Sequence, residues 1–282
     1  MAGGWIETGP RRVYFGAGII SGGIRMRKIG WAVVALLAVP ALAKDPDAGV
    51  AYLKPGTIDI MAILPPAPVV GDPRYDADRA IFKATRRLVG TPRWEMAAKD
   101  VSYKDADMLT DFSCALGAVL TPKDAPHLMM LLRNAGKDTQ RETNVAKNAN
   151  KRQRPFLIDA GETCESQPDL AKSFDYPSGH TTGGWTWALV LADVAPDHAS
   201  AIMTRGRAYG ESRIVCGAHN ASAVDNGRLS ATITMTAVRA TAAYQRDLKA
   251  ARAEFKAMKK TAPAAATCEA ERQLAAINIF AN

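Results

Sequence analysis

The chain has 282 residues, a formal net charge of +8 and 48% hydrophobic residues. Half of that charge lies in the first 43 positions, where Arg11, Arg12, Arg25, Arg27 and Lys28 face only Glu7. The remainder carries too small an excess to read as a nucleic-acid footprint, and its length suits one domain with a sizeable core.

Residues 1–25 are Gly-rich and read as a doubtful N-terminal extension, with Met26 as the candidate true start. "MRKIGWAVVALLAVPALA", residues 26–43, then has a basic start, a short apolar run and a small-x-small end before Lys44. That is the pattern of a cleaved signal peptide, since the apolar run is too short to span a bilayer comfortably. Export to the periplasm follows as an expectation, with no membrane attachment after cleavage. No later apolar run reaches membrane-spanning length. Cysteines 114, 164, 216 and 268 form an even set without a CxxC. In an exported chain that favours two disulfides over zinc, with three connectivities open.

Residues 44–72 are rich in Pro, Gly and small apolar residues and read as an extended arm. Helical periodicity then dominates. Helices are predicted over 74–89, ending at Gly90, and over 92–103, opening with a proline. A further helix is predicted over 108–120, and one over 124–151 with Asp124 as N-cap. The apolar stretch 181–195 reads as a buried core helix containing Trp185 and Trp187. Helices follow over 196–215 and, as one or two, over 229–260. Residues 261–282 read as a tail. The fold class is all-α, a single-domain helical bundle over 73–260.

Three polar clusters stand out. "KNANKRQRP" puts Lys147 seven residues before Arg154, "PSGH" runs from Pro177 to His180, and "SRIVCGAH" runs from Ser212 to His219. A phosphoryl group needs cationic donors, and Lys147, Arg154 and Arg213 can supply them. It also suits a helix N-terminus, where Ser178 and Gly179 stand just before the apolar helix. Transfer needs a nucleophile and a proton donor, and two of the four histidines, His180 and His219, lie in these clusters. His127 and His198 lack polar neighbours in sequence and read as structural. The acids of "DADRA" show no pairing that points to chemistry. Any cluster alone has an ordinary reading: a solvated basic face, a turn and cap, a core histidine.

The joint, ordered pattern Lys-x6-Arg-Pro, Pro-Ser-Gly-His, Ser-Arg-x5-His resembles the soluble bacterial class A non-specific acid phosphatases. These belong to the superfamily that includes type 2 phosphatidate phosphatases and vanadium haloperoxidases. "RPF", Thr163-Cys164, "YPSGHT", "GWTWALVLAD", "RGRAYGESRIVCG" and the Arg93–Asp100 stretch extend the likeness over roughly Asp72 to Lys260. The resemblance implies an all-helical fold and metal-independent hydrolysis of phosphate monoesters of broad type, with no cofactor; a homodimer is common among such relatives, and the oligomeric state is left open. It implies that Lys147, Arg154, Ser178, Gly179 and Arg213 hold the phosphate. It makes His219 the nucleophile that becomes phosphohistidine, and His180 the acid for the leaving group, best suited to acid pH. It pairs Cys164 with Cys216, leaving Cys114 for Cys268.

One position departs from the pattern. The resembled family carries an Asp four residues after the nucleophilic histidine, and here that position is Ala223. On a helix, i+4 faces nearly the same way as i, whereas Asp225, at i+6, is turned about 120° away. A carbonyl or an acid from elsewhere could replace the missing orienter. The enzyme could instead be slow, or the protein could bind phosphate esters without turnover. The intact remainder of the motifs favours an active enzyme with a substitute orienter. The rival reading is a vanadium-dependent oxidoreductase with vanadate on His219, which the mature length and the close likeness to the phosphatases disfavour.

Overall fold

The computed structural model describes residues 49–281, so the expected extension (1–25) and signal peptide (26–43) lie outside the described residues. Every regular element among these residues is helical, and the β-type pairing is confined to an isolated antiparallel bridge between Val119 and Thr261. The chain adopts the expected all-α class as a single domain.

The arm carries one short helix, α1 (Ile60–Ile63), and otherwise follows the long helix α6 (Pro126–Asn150). Its backbone amides have no ladder, so α6 side chains accept them. Val50 donates to Asn134 at 2.6 Å, Tyr52 to Asp138 at 2.6 Å and Ala67 to Asn150 at 3.0 Å. Ile60 and Leu64 bury themselves in a small cluster with Ala146.

Helices α2 (Pro73–Thr85) and α3 (Pro92–Lys99) each open with Pro behind a capping residue, Asp72 and Thr91. The predicted 108–120 helix is instead two short ones, α4 (Asp105–Asp111) and α5 (Ser113–Leu116), which stop at Gly117 with φ +71°. Asp124 does not cap α6. Its carboxylate turns back to Thr121, and the N-cap is Ala125. The first amides of α6 find the Glu254 carboxylate instead, from His127 and Leu128 at 3.0 Å each, a cap supplied from 126 or more residues away.

After the single turn α7 (Gln167–Leu170) comes the central helix α8 (Gly179–Val194), packed against α6, α9 (Ala199–Val215) and α10 (Ala221–Arg239). Trp187 joins the core as expected. Trp185 is only half-buried and donates its indole N–H to Thr232 at 2.9 Å. At Gly183 and Gly184 a Cβ would fall 1.6 Å from the Tyr103 hydroxyl and 2.2 Å from the Tyr209 ring. The glycine pair thus lets two aromatic rings reach the α8 backbone beside His180.

The 229–260 stretch resolves into α10 and α11 (Ala242–Ala257), divided at Thr241, which caps α11. Helix α10 starts at Ala221, well before 229, because Asn220 serves as its N-cap. The tail contains α12 (Ala265–Ala276), held by the Cys114–Cys268 disulfide. The second disulfide is Cys164–Cys216, so both pairs follow the connectivity that the resemblance implied.

One correction concerns Asp78 of the "DADRA" run, which is 2% exposed. Its carboxylate accepts from Ser222 N at 2.8 Å and from Arg152 Nη2 at 2.7 Å. It therefore joins α2 to the start of α10 and to the loop after α6, a pairing with no sequence signal because its partners lie 74 and 144 residues on. Removing one partner of a buried pair strands the other charge. Asp78→Ala is expected to cost about 3–5 kcal/mol of stability, measured by urea unfolding, with Asp76→Ala on the exposed face as the near-neutral control.

Candidate active site

A cavity of about 400 Å³ opens where the ends of α6, α8 and α9 meet. Lys147 comes from the last turn of α6, and Arg154 from the loop that follows. Gly179 and His180 come from the first turn of α8, and Arg213 from the last turn of α9. His219 stands in the short loop between α9 and α10. The three sequence clusters, up to 72 residues apart, converge on one cavity because two helix C-terminal ends and one N-terminal end share one side of the bundle.

The cations are buried and anchored by carbonyls. Lys147 Nζ donates to Phe174 O at 3.0 Å. Arg154 donates to Ser173 O and Ala218 O, both at 2.8 Å. Arg213 is 1% exposed, and its Nη2 meets the Glu165 carboxylate. Its Nε and Nη1 are buried without a protein partner, so two strong donors remain for an anion. Burial, with Arg154 and Arg213 close by, lowers the Lys147 ammonium to about 8. Burial also lowers Arg154 to about 10, with Arg213 adding to the shift and Asp175 opposing it. A bound dianion would reverse both shifts by neutralising the crowded charge.

His219 is 3% exposed and bonded at both ring nitrogens. Nε2 faces Arg154 Nη1 at 3.1 Å, and Nδ1 faces Asp175 Oδ1 at 3.0 Å. A guanidinium can only donate, so Nε2 is the acceptor and the ring proton is on Nδ1, directed at the carboxylate. Burial first, then Arg154, Lys147, Arg213 and His180, holds the His219 pKa well below its ordinary value. The ring is neutral, with its Nε2 lone pair on the side of the cations.

His180 lies between two aromatic rings, Tyr103 at 5.3 Å and Tyr209 at 6.0 Å between centroids. Its Nε2 faces Val101 O at 2.9 Å, a contact only an N–H can make, which leaves Nδ1 to exchange protons. Burial and Arg213 push its pKa well below the ordinary histidine value. Burial and charge thus favour the neutral form of His180, where the sequence led us to expect a protonated acid. The physical reason is burial first and the positive charge of the cluster second.

Ser178 sits differently from the other predicted contacts. It is fully buried, it does not line the cavity, and its hydroxyl caps α8 by accepting from Thr181 N at 3.3 Å and Thr181 Oγ1 at 2.9 Å. Four participants had no motif to mark them in the sequence. Glu165 occupies Arg213, Tyr103 forms part of the cavity wall, Arg152 braces Asp175 at 3.5 Å, and Asp175 binds the His219 ring. Glu165 follows Cys164, whose disulfide to Cys216 and whose N–H to Cys216 O (3.1 Å) bring this loop against the end of α9. Gly217, with φ +65°, makes the turn that follows; a Cβ there would lie 2.8 Å from Glu162 O.

Comparison with known proteins agrees with this geometry. The family described as the PAP2 superfamily matches residues 127–247. An acid phosphatase of Zymomonas mobilis subsp. mobilis is 38% identical over 206 residues, spanning 72% of this chain and 78% of that protein. A non-specific acid phosphatase of Providencia stuartii is 38% identical over 213 residues, spanning 74% and 86%. One of Salmonella typhimurium is 36% identical over 195 residues, spanning 68% and 78%. Likeness of this degree across most of both chains decides the family: the chain belongs to the non-specific acid phosphatases of the PAP2 superfamily and is a phosphoric monoester hydrolase.

Proposed function

We propose that the protein hydrolyses phosphate monoesters of broad type in the periplasm through a phosphohistidine at His219, without a metal ion. The observation that carries this reading is the His219 ring held between Asp175 at Nδ1 (3.0 Å) and Arg154 at Nε2 (3.1 Å), among three buried cations. Lys147, Arg154 and Arg213 supply the charge that a phosphoryl transition state needs, a role a metal ion would otherwise fill. Gly179, first residue of α8, brings the positive end of a helix dipole to the same cavity. Ser178 contributes by capping that helix end.

In the first step His219 Nε2 attacks phosphorus. The N–P bond forms as the ester P–O bond breaks, and protonated His180 gives its Nδ1 proton to the leaving alkoxide. In the second step His180 takes a proton from water, whose oxygen attacks phosphorus. The N–P bond breaks, releasing inorganic phosphate and neutral His219. The dianionic substrate itself raises the His180 pKa by offsetting Arg213, Arg154 and Lys147, so binding charges the acid it needs. Tyr103, Gln140, Asn144 and Leu170 also line the cavity, a mix of polar and apolar side chains that suits a broad range of leaving groups. The periplasmic assignment rests on the signal-peptide pattern at 26–43 and the two disulfides. No helix among the described residues is long and apolar enough to cross a membrane.

Two measurements test the reading. Aryl-phosphate hydrolysis is expected to persist in chelator and to fall by at least about 10³-fold in His219→Ala, in line with loss of a covalent nucleophile. Full activity in that variant would remove the phosphohistidine step. Histidine NMR is expected to place the His180 pKa below about 6.5 in the free protein and to move it upward when inorganic phosphate binds. Because the acid must be protonated in the complex, kcat is expected to decline as pH rises through that raised value.

A further inference from the structure

Behind His219, outside the lining of the cavity, stands a carboxylate that the sequence motifs do not supply. Asp175 is fully buried in the segment just before α8, and it accepts three hydrogen bonds beside an ion pair. Oδ1 accepts from His219 Nδ1 at 3.0 Å and from Asn220 N at 3.1 Å. Oδ2 accepts from Asn220 Nδ2 at 2.9 Å and lies 3.5 Å from Arg152 Nη1. Its backbone N–H is tied to Arg152 O at 2.9 Å, and the neighbouring Tyr176 hydroxyl is tied to Pro65 O at 2.6 Å. The Arg152 guanidinium is in turn held by Asp78 and Ser222. The carboxylate therefore has one orientation, braced from three segments.

We propose that Asp175 is the positioning residue for His219, fixing the ring with its proton on Nδ1 and its lone pair on Nε2, and that it replaces an acid that would otherwise be needed at position 223. The equivalence follows from the helix start. Asn220 is the N-cap of α10, which makes Ala223 the third residue of the helix. An acid at that place reaches back to the N-cap amide, and here the same amide is taken by Asp175 Oδ1. The segment that follows Asp175 also runs beside position 223, because Ser178 N donates to Ala223 O at 2.9 Å. With Asp175 in place, a second carboxylate at 223 would put two like charges on one ring, and the fully buried methyl of Ala223 avoids that.

This inference rests on the phosphohistidine reading, and its test separates the two. Asp175→Asn keeps the shape and an acceptor but loses the charge and can present an amide N–H₂ to the ring. With an aryl phosphate, kcat is expected to fall by about 10²–10⁴-fold, the upper end matching loss of the orienting carboxylate in a serine protease triad. KM and the Kd for inorganic phosphate should stay within about threefold. A merely structural role would move melting temperature and phosphate affinity together with rate. The second measurement is ¹⁵N-histidine NMR of the unmodified protein, with the His219 signal assigned by its loss in His219→Ala. A pyrrole-type Nδ1 and a pyridine-type Nε2 are expected. An inactive His219→Ala beside an Asp175→Asn with unchanged kcat would overturn the role of Asp175 alone. So would an Nε2–H tautomer at His219 in the unmodified protein. An active His219→Ala would instead take down the phosphohistidine reading itself.

Discussion

Three cations buried around one cavity are the constraint on which the rest of the structure depends. Lys147, Arg154 and Arg213 cannot be left in a low-dielectric interior without partners. The fold surrounds them with carbonyl oxygens from Ser173, Phe174 and Ala218 and with the acids Glu165 and Asp175. Two acids do not balance three cations, and burial first, with the remaining charge second, depresses the Lys147 and histidine pKa values. The residual positive charge is the binding free energy the site offers to a phosphate dianion. Burial first, and that charge second, hold the His219 pKa well below its ordinary value.

Holding such a cluster requires rigid surroundings, and these are largely polar. Asp78, Arg152 and Ser222 brace Asp175 from behind. On the other side Arg93 donates to Ser212 at 3.0 Å, and Asp100 receives both Ser212 and Arg205, so the residue before Arg213 is fixed in turn. Networks of this kind act through geometry. A loop that shifted by an ångström would cost a phosphoryl-transfer site much of its rate. The Cys164–Cys216 disulfide ties down the loop bearing Glu165, one residue beyond Cys164.

Where the sequence misled, the physics is specific. Asp124 looked like a cap for α6, but Thr121 offered it a closer pair of donors and Glu254 took the helix end. The i+4 rule applied to His219 assumed a helix that begins there. The helix begins at Ala221, so the ring lies outside it and the facing argument does not carry over. The acids of "DADRA" showed no pairing in the sequence, yet Asp78 points inward to an arginine 74 residues later.

The sequence by itself determined the all-α class, most of the helices and the three ordered clusters that carry Lys147, Arg154, Gly179, His180, Arg213 and His219. Local periodicity and spacing encode these, because helix hydrogen bonds and motif turns are short-range. The cysteine pairing was legible only through the resemblance. Tertiary structure alone decided which carboxylate meets the His219 ring, what occupies Arg213 and in which direction the His180 pKa is shifted. Each depends on groups 44 to 79 residues apart meeting in a buried cavity. A side chain reaching across a fold leaves no periodic trace, and a pKa is set by the summed charge and burial around a group rather than by its neighbours in the chain.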